Sequence, residues 1–476
     1  MSRRIPWGLP IAAAAVAMLL GAPLWPALSQ QPARPSQPRR PFLPRFDPAP
    51  PRGSPRPVAR RPSSAPRDVP ADQEQEGEEI DGGGGGGEVG APSPEWARTV
   101  EVQLHGAPVR AGPDDQSERR GQVARGARFP LLARRLGQGC EGGPWYRIGE
   151  AAWICADYVW LSANAPAARA YPGIAEAEVV PFRYAFSAVD GTRAYARPSD
   201  IDIDDYVETL ARGWGLAIVA RRSHEGQTIV RTTRGTWIQA SELRWARPSE
   251  FAGARLAEVR EGMPIPVAWV RRGGASTYTT PGDRRRVGTL PGRAMVQVGD
   301  EVREGTRSFT RLGDGRYVET RLLVRPERIA PPAGVGPTDR WIDVHLAQQT
   351  LVAYQGTEPV FTTLVSTGRR AGSTPRGTHR IWIKMALGTM DNVEDEEAVA
   401  PYSMDGVPWI QYFAEDVALH AVYWHDRFGT VRSHGCVNLS PRDARWLYAF
   451  TSPTVPDGWT VTLPTARDRG TVVHVR

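Results

Sequence analysis

Cys436 stands in the run Ser433-His434-Gly435-Cys436-Val437-Asn438, and His420, His425 and His434 all fall within sixteen positions of it. A thiol is a nucleophile only as thiolate, and a neighbouring imidazole or the positive end of a helix dipole favours that form. The spacing predicts that His420 faces Cys436 across a pocket and takes its proton as general base. No Asp or Asn in the stretch is an obvious partner for that ring, so the backbone carbonyl of Ala421 is the candidate to hold it. Gly435 admits a close backbone approach, and the N–H groups of Gly435 and Cys436 are candidates for an oxyanion hole. The competing chemistry is zinc ligation by the three histidines and the thiol. The spacing H-x4-H-x8-H-x-C matches no paired-ligand knuckle or helical zinc site, so no metal and no cofactor are expected.

These groups need a rigid frame. "VALHAVYW" reads as one strand and "RSHGC" as its return, a hairpin that carries both His420 and Cys436. Ser440 fits an N-cap, Pro441 the first helical position and Asp443 the closing residue of a capping box, after which Ala444, Leu447 and Tyr448 mark an apolar face. Alternation over 341–368 predicts a three-strand meander turning at Gln348-Gln349 and Gln355-Gly356. "TPRGTHRIWIKMAL" and "VPWIQYF" continue the β pattern. The expectation is a mostly β domain over 338–464 with one short helix, and a C-terminal tail over 465–476. Trp409, Tyr412, Trp424 and Arg432 are candidates to line the pocket; His425 and His379 carry no assigned role.

The front of the chain has a different character. Arg3 and Arg4, an apolar run from Ile11 to Leu20 and Ala27-Leu28-Ser29 read as an export signal over 1–30, with no membrane span expected after its removal. Residues 31–70 hold thirteen prolines and nine arginines, 71–95 eight acids and no base, and Gly82 to Gly87 are consecutive glycines. Such a segment buries too little apolar surface to order itself, so 31–94 is expected to be a disordered linker. The formal charge of +7 comes from scattered arginine rather than a clustered stripe, which excludes an evident nucleic-acid surface. Between linker and C-terminal domain the chain repeats itself three times, over 95–165, 176–248 and 263–328. Turn prolines recur as Pro113, Pro198 and Pro281, and aromatic-aliphatic pairs as Trp153-Ile154, Trp237-Ile238 and Tyr317-Val318, followed by Leu161, Leu243 and Leu322. Short alternating strands with glycine turns read as small β-barrels, and the pattern resembles bacterial SH3-like modules. Only the first unit holds Cys140 and Cys155, fifteen positions apart; in an exported chain they are expected to pair, leaving Cys436 as the odd thiol.

The C-terminal region resembles the catalytic domain of L,D-transpeptidases of the YkuD type. The entry strand "WIDVHLAQQTLVAYQGTEPVFTTLVSTG", the turn "TPRGTHRI" and "LHAVYWHDRFGTVRSHGCVNLSPRDA" carry the likeness. The resemblance implies a β-sandwich with a short helix, Cys436 as nucleophile, His420 as base, and His434 with Gly435 and Cys436 shaping the oxyanion hole. Ser433 and Asn438 would support the loop. Ala421 stands where relatives often have glycine or serine, and the gap from His420 to Ser433 is shorter than in many of them. The implied reaction is a 3→3 cross-link between peptidoglycan stem peptides through a Cys436 thioester, in the periplasm or at the wall. The same nucleophile would also suit an L,D-carboxypeptidase or a protein-to-peptidoglycan ligase, and a silent wall-binding scaffold is the alternative of a different class. The SH3-like modules would engage wall glycan or a protein partner.

Overall fold

A computed structural model describes residues 96–257, 259, 262–392 and 402–476. The stretches read as export signal and linker, 1–30 and 31–94, lie outside the described residues. Among the described residues no helix is long and apolar enough to cross a membrane.

The C-terminal domain is built from Arg340–His345 (β1), Thr350–Gln355 (β2), Glu358–Leu364 (β3), Gly377–Arg380 (β4), Ile383–Asp391 (β5), Ser403–Ala414 (β6), Val417–Ala421 (β7), Val437–Leu439 (β8), the helix Pro441–Phe450 (α1), Trp459–Thr462 (β9) and Val472–Val475 (β10). The antiparallel meander β1–β2–β3 consists of strands buried largely on both faces, and its turns take a positive φ at Gln349 and Gly356. β10 pairs parallel with β1 and antiparallel with β4. Residues 465–476 are therefore not a tail. "TVVHV" completes the sheet, and its β-branched alternation is the signal that the boundary at 464 overlooked.

The second sheet runs β6–β5–β9, with β7 on β6 and β8 on β7. Ile342, Leu351, Ala353, Leu419, Val437, Leu447 and Val473 fill one core cluster with Trp409. Trp341 and Tyr354 stack with ring centroids 4.1 Å apart, a pairing that contributes about 0.5–1.5 kcal/mol beyond burial. β7 and β8 are parallel, with His420 opposite Asn438, so the expected hairpin is replaced by a crossover. Residues 422–436 are enough chain for one, and parallel neighbours need it.

Helix α1 starts as its sequence suggests at the cap: Ser440 Oγ accepts the Asp443 N–H at 3.2 Å, with Pro441 in the first turn. Asp443 does not close a capping box. Its carboxylate accepts from the Gly253 N–H at 2.8 Å and from Thr363 Oγ1 at 2.5 Å, tying the helix to the chain segment before it and to β3. At the other end Lys384, the one lysine of the sequence and wholly buried, donates to the carbonyls of Tyr448, Thr451 and Pro453 at 2.6, 3.0 and 3.0 Å. A helix C-terminus presents carbonyls without intrahelical partners, and an ammonium is well suited to them.

Upstream, three β-rich stretches end alike: a strand, a 3₁₀ turn and a last short strand. These are Ala152–Cys155, Ala156–Tyr158 and Val159–Ser162; Trp237–Gln239, Ala240–Glu242 and Leu243–Trp245; and Tyr317–Glu319, Thr320–Leu322 and Leu323–Val324. The buried residues opening the last strands are Val159, Leu243 and Leu323, so the series Leu161, Leu243, Leu322 is out of step by two positions in the first stretch and one in the third. Cys140 and Cys155 form a disulfide in the first, against Trp145 and Trp153.

These stretches are not beads ahead of the domain. Arg119–Val123 of the first pairs with β9, and Gly215 of the second pairs with Met404 of β6. Ala254–Arg255, between the second and third, pairs with β3.

Candidate active site

His420 lies on β7, 2% exposed, with Nδ1 donating to the Ala421 carbonyl at 2.9 Å. That bond fixes the tautomer: Nε2 is left as the acceptor. Burial, only partly opposed by the Ala421 bond, draws the imidazole pKa down to about 4.

Cys436 is the free cysteine among the described residues, half-buried immediately ahead of β8. Because His420 is registered against Asn438, alternation along the strand puts Cys436, two positions earlier, on the same face and diagonal to the imidazole. The sulfur shares an apolar cluster with Tyr412, Ala418 and Trp424. Burial raises the thiol pKa to about 11; the Ala418 N–H, bonded to the sulfur, pulls the other way, and Asp416 adds to the rise. In this geometry the S–H points toward the Asp416 carbonyl, 3.8 Å away. The expectation of a thiol acidified by a helix N-terminus is therefore corrected. All of β8 separates Cys436 from α1, and the dipole effect is confined to the first turn.

The loop ahead of Cys436 is held from below. Ser433 Oγ donates to the Cys436 carbonyl at 2.5 Å, and Thr374 Oγ1 donates to the Gly435 carbonyl at 2.6 Å. The Thr367 carbonyl accepts from the N–H groups of Arg432 and Ser433, while Thr367 is itself held by Gln349. A Cβ on Gly435 would sit 2.7 Å from the Ser373 carbonyl oxygen; the glycine serves close approach rather than a left-handed backbone. Asn438 is buried, with its amide 3.0 Å from His425 Nε2. His425 Nδ1 accepts the Arg427 N–H at 3.2 Å, and it is the Asn438 amide nitrogen that lies against Nε2. His425, without an assigned role from the sequence, props Asn438, the residue registered against His420.

His434 is exposed at the rim, stacked on Tyr402 with centroids 5.1 Å apart and planes at 10°. Burial, then Arg369 and Arg370, lower its pKa. Arg432 is half-buried beside it, and its carbonyl accepts from Arg369 Nε at 2.9 Å. Of the proposed pocket aromatics, Tyr412 packs in the cluster that holds the thiol and Trp424 stacks on His420 at 5.8 Å. Trp409 does not join them: it is 4% exposed in the core cluster with Leu419 and Phe413, because its face of β6 is turned into the sandwich. His379 lies on β4, its ring 5.7 Å from Phe413. No three of His420, His425, His434 and Cys436 bring ligand atoms together as a metal site would require. Sequence reasoning overlooked Thr374, Gln349 and Tyr402. The polar small residues of "STGRRAGSTP" were a usable signal for the first; nothing local marks the other two.

A family model described as the L,D-transpeptidase catalytic domain (YkuD) matches residues 339–475. The Bacillus subtilis protein YciB, named as an L,D-transpeptidase, is 25% identical over 122 residues, which are 23% of this chain and 59% of YciB. Among solved structures, an L,D-transpeptidase from Stackebrandtia nassauensis is 27% identical, covering 31% of this chain and 58% of that one, with a TM-score of 0.22. L,D-transpeptidase 3 from Mycobacterium tuberculosis is 19% identical, covering 34% and 73%, with a TM-score of 0.24. The chain thus spans less than two thirds of YciB and of the Stackebrandtia protein. Residues 339–475 thus match the family model of an L,D-transpeptidase catalytic domain.

Proposed function

We propose that the protein is an exported cysteine acyltransferase that forms 3→3 cross-links between peptidoglycan stem peptides. The observation that carries this reading is the His420 tautomer. With Nδ1–H committed to the Ala421 carbonyl, Nε2 is a neutral acceptor on the face shared with Cys436. As substrate enters, the thiol proton passes to His420 Nε2 and the sulfur attacks the carbonyl between the L-centre of diaminopimelate and the terminal D-alanine. The N–H groups of Gly435 and Cys436 receive the developing oxyanion. Collapse breaks the C–N bond, His420 returns its proton to the leaving amine, and D-alanine departs, leaving a thioester. An amine of a second stem loses a proton to His420, attacks the thioester and releases the thiol. Ser433, Thr374 and Asn438 keep the donor loop in place. The three upstream stretches, taken as SH3-like modules, would hold wall glycan or a protein partner.

Cys436→Ala in the full chain, incubated with tetrapeptide-bearing muropeptides, tests the reading by mass analysis of products. We expect wild-type protein to release D-alanine and form dimers, and the variant to form neither. Cross-linking by the variant, or folded wild-type protein that yields no acyl transfer, would overturn it.

A further inference from the structure

The paired ends of β5 and β6, where Asp391 meets Ser403, lie beside the site, and Tyr402 just ahead of β6 lays its ring on His434. This corner is gripped by the second upstream stretch. Arg234, in the turn between Gln227–Thr232 and Trp237–Gln239, donates through Nη2 to Asp405 Oδ1 at 2.7 Å and to Ser403 Oγ at 3.3 Å. Its Nη1 reaches Glu208 at 2.9 Å. One guanidinium thus joins an acid of its own module to the start of the strand that follows Tyr402. Asp405 is 1% exposed; its Oδ1 also accepts from Thr389 at 3.2 Å, while Oδ2 is buried without a partner among the described residues. A carboxylate so enclosed depends on the cation beside it, and an apolar joint of the same shape would not need one. The backbone is held as closely. Tyr184 Oη donates to the Gly406 carbonyl at 2.6 Å, Tyr423 Oη donates to the Asp405 carbonyl at 3.0 Å, and the two tyrosines stack at 3.8 Å. Gly406 has φ +61°, and a Cβ there would lie 2.6 Å from the Ala217 Cβ of the module.

We propose that Arg234 is a positioning residue for the Cys436 site: by fixing Asp405 it sets the wall formed by Tyr402 and His434, so the second module completes the acyl-donor pocket. The proposal rests on the acyl-transfer reading. It separates two steps that one loss of activity would merge, because Arg234 governs how the donor is seated while leaving the sulfur and its base in place.

The test uses the full chain with Arg234→Gln, Arg234→Lys and, as an arm that keeps side-chain shape, Asp405→Asn. We expect Arg234→Gln and Asp405→Asn to raise KM for a tetrapeptide donor about tenfold. Both should change kcat by less than about threefold and leave the rate of Cys436 alkylation by iodoacetamide unchanged. Arg234→Lys should recover most of the KM. The NMR shifts of the His434 ring, set by the stacked Tyr402, should move in the first two variants and return in the third. Wild-type KM in Arg234→Gln, or His434 shifts that do not respond, would overturn the proposal. Wild-type protein that alkylates but never transfers an acyl group would sink the functional reading instead, and the His434 shifts then still decide the positioning role.

Discussion

Cys436 and His420, on one face of the β7–β8 pair, are each held neutral rather than as an ion pair. Burial holds the thiol at about 11 and the imidazole at about 4, so across neutral pH the proton stays on sulfur. The sign of the pH dependence follows. His420 can act as base only when unprotonated, so acyl transfer should be level between those values, with its acid limb near pH 4. Iodoacetamide needs thiolate, and its rate should climb about tenfold per pH unit over the same range. Alkylation that is already level at pH 6–8 would refute the neutral pair. The hydrogen bond from the His420 ring to the Ala421 carbonyl was legible in "LHA", because adjacent residues encode it. The protonation state was not, since it depends on Tyr412 and Trp424, which other segments bring to the sulfur. The role of His425 was hidden for the same reason: its partner Asn438 arrives through the parallel pairing of β7 and β8.

At the scale of elements, local patterning found the meander and the start of α1, where consecutive residues carry the information. It failed wherever pairing is non-local. The Cys436 segment was taken for the return of a hairpin, and the last strand for a tail, because partner choice for "VNL" and "TVVHV" is made by distant strands. Lys384 shows a similar blind spot: nothing in "WIKMAL" announces a buried amine, and its three acceptors come from Tyr448 in the last turn of α1 and from Thr451 and Pro453 just past it. Burial lowers its pKa to about 7, so between pH 7 and 10.5 the unfolded chain binds more protons than the folded one. This group's contribution to stability is therefore fully present above the unfolded value and declines as pH falls toward 7. Lys384→Met, which strands those buried carbonyls, should cost about 1–3 kcal/mol and remove that component of the slope. Thermal denaturation at pH 7, 8.5 and 10 measures both; a variant as stable as wild type with the same slope would refute the assignment.

Across the whole molecule, the sheet behind the site has no free flank where the upstream stretches meet it. β9 continues into Arg119–Val123, and the start of β6 continues into the second stretch at Gly215. Unpaired strand edges invite association with other chains. A fragment beginning at residue 338 should therefore melt lower than the full chain and self-associate in size-exclusion chromatography. A monomeric fragment with the full-chain Tm would show that the contacts are incidental. The sequence announced three repeats but could not reveal this docking, because generic turn and strand signals say nothing about which edge is shared.

The fate of the lone lysine reaches further than the helix it caps. An acyl-thioester is surrendered to any amine that approaches it, and the remaining 58 of the 59 basic side chains are arginines, whose guanidinium groups stay protonated and make poor acceptors. Were Cys436 to carry an acyl group as proposed, it would meet no exposed ε-amine among residues 1–476, since Lys384 is walled in. Amine-seeking dyes or crosslinkers added to the folded protein should leave Lys384 unmodified.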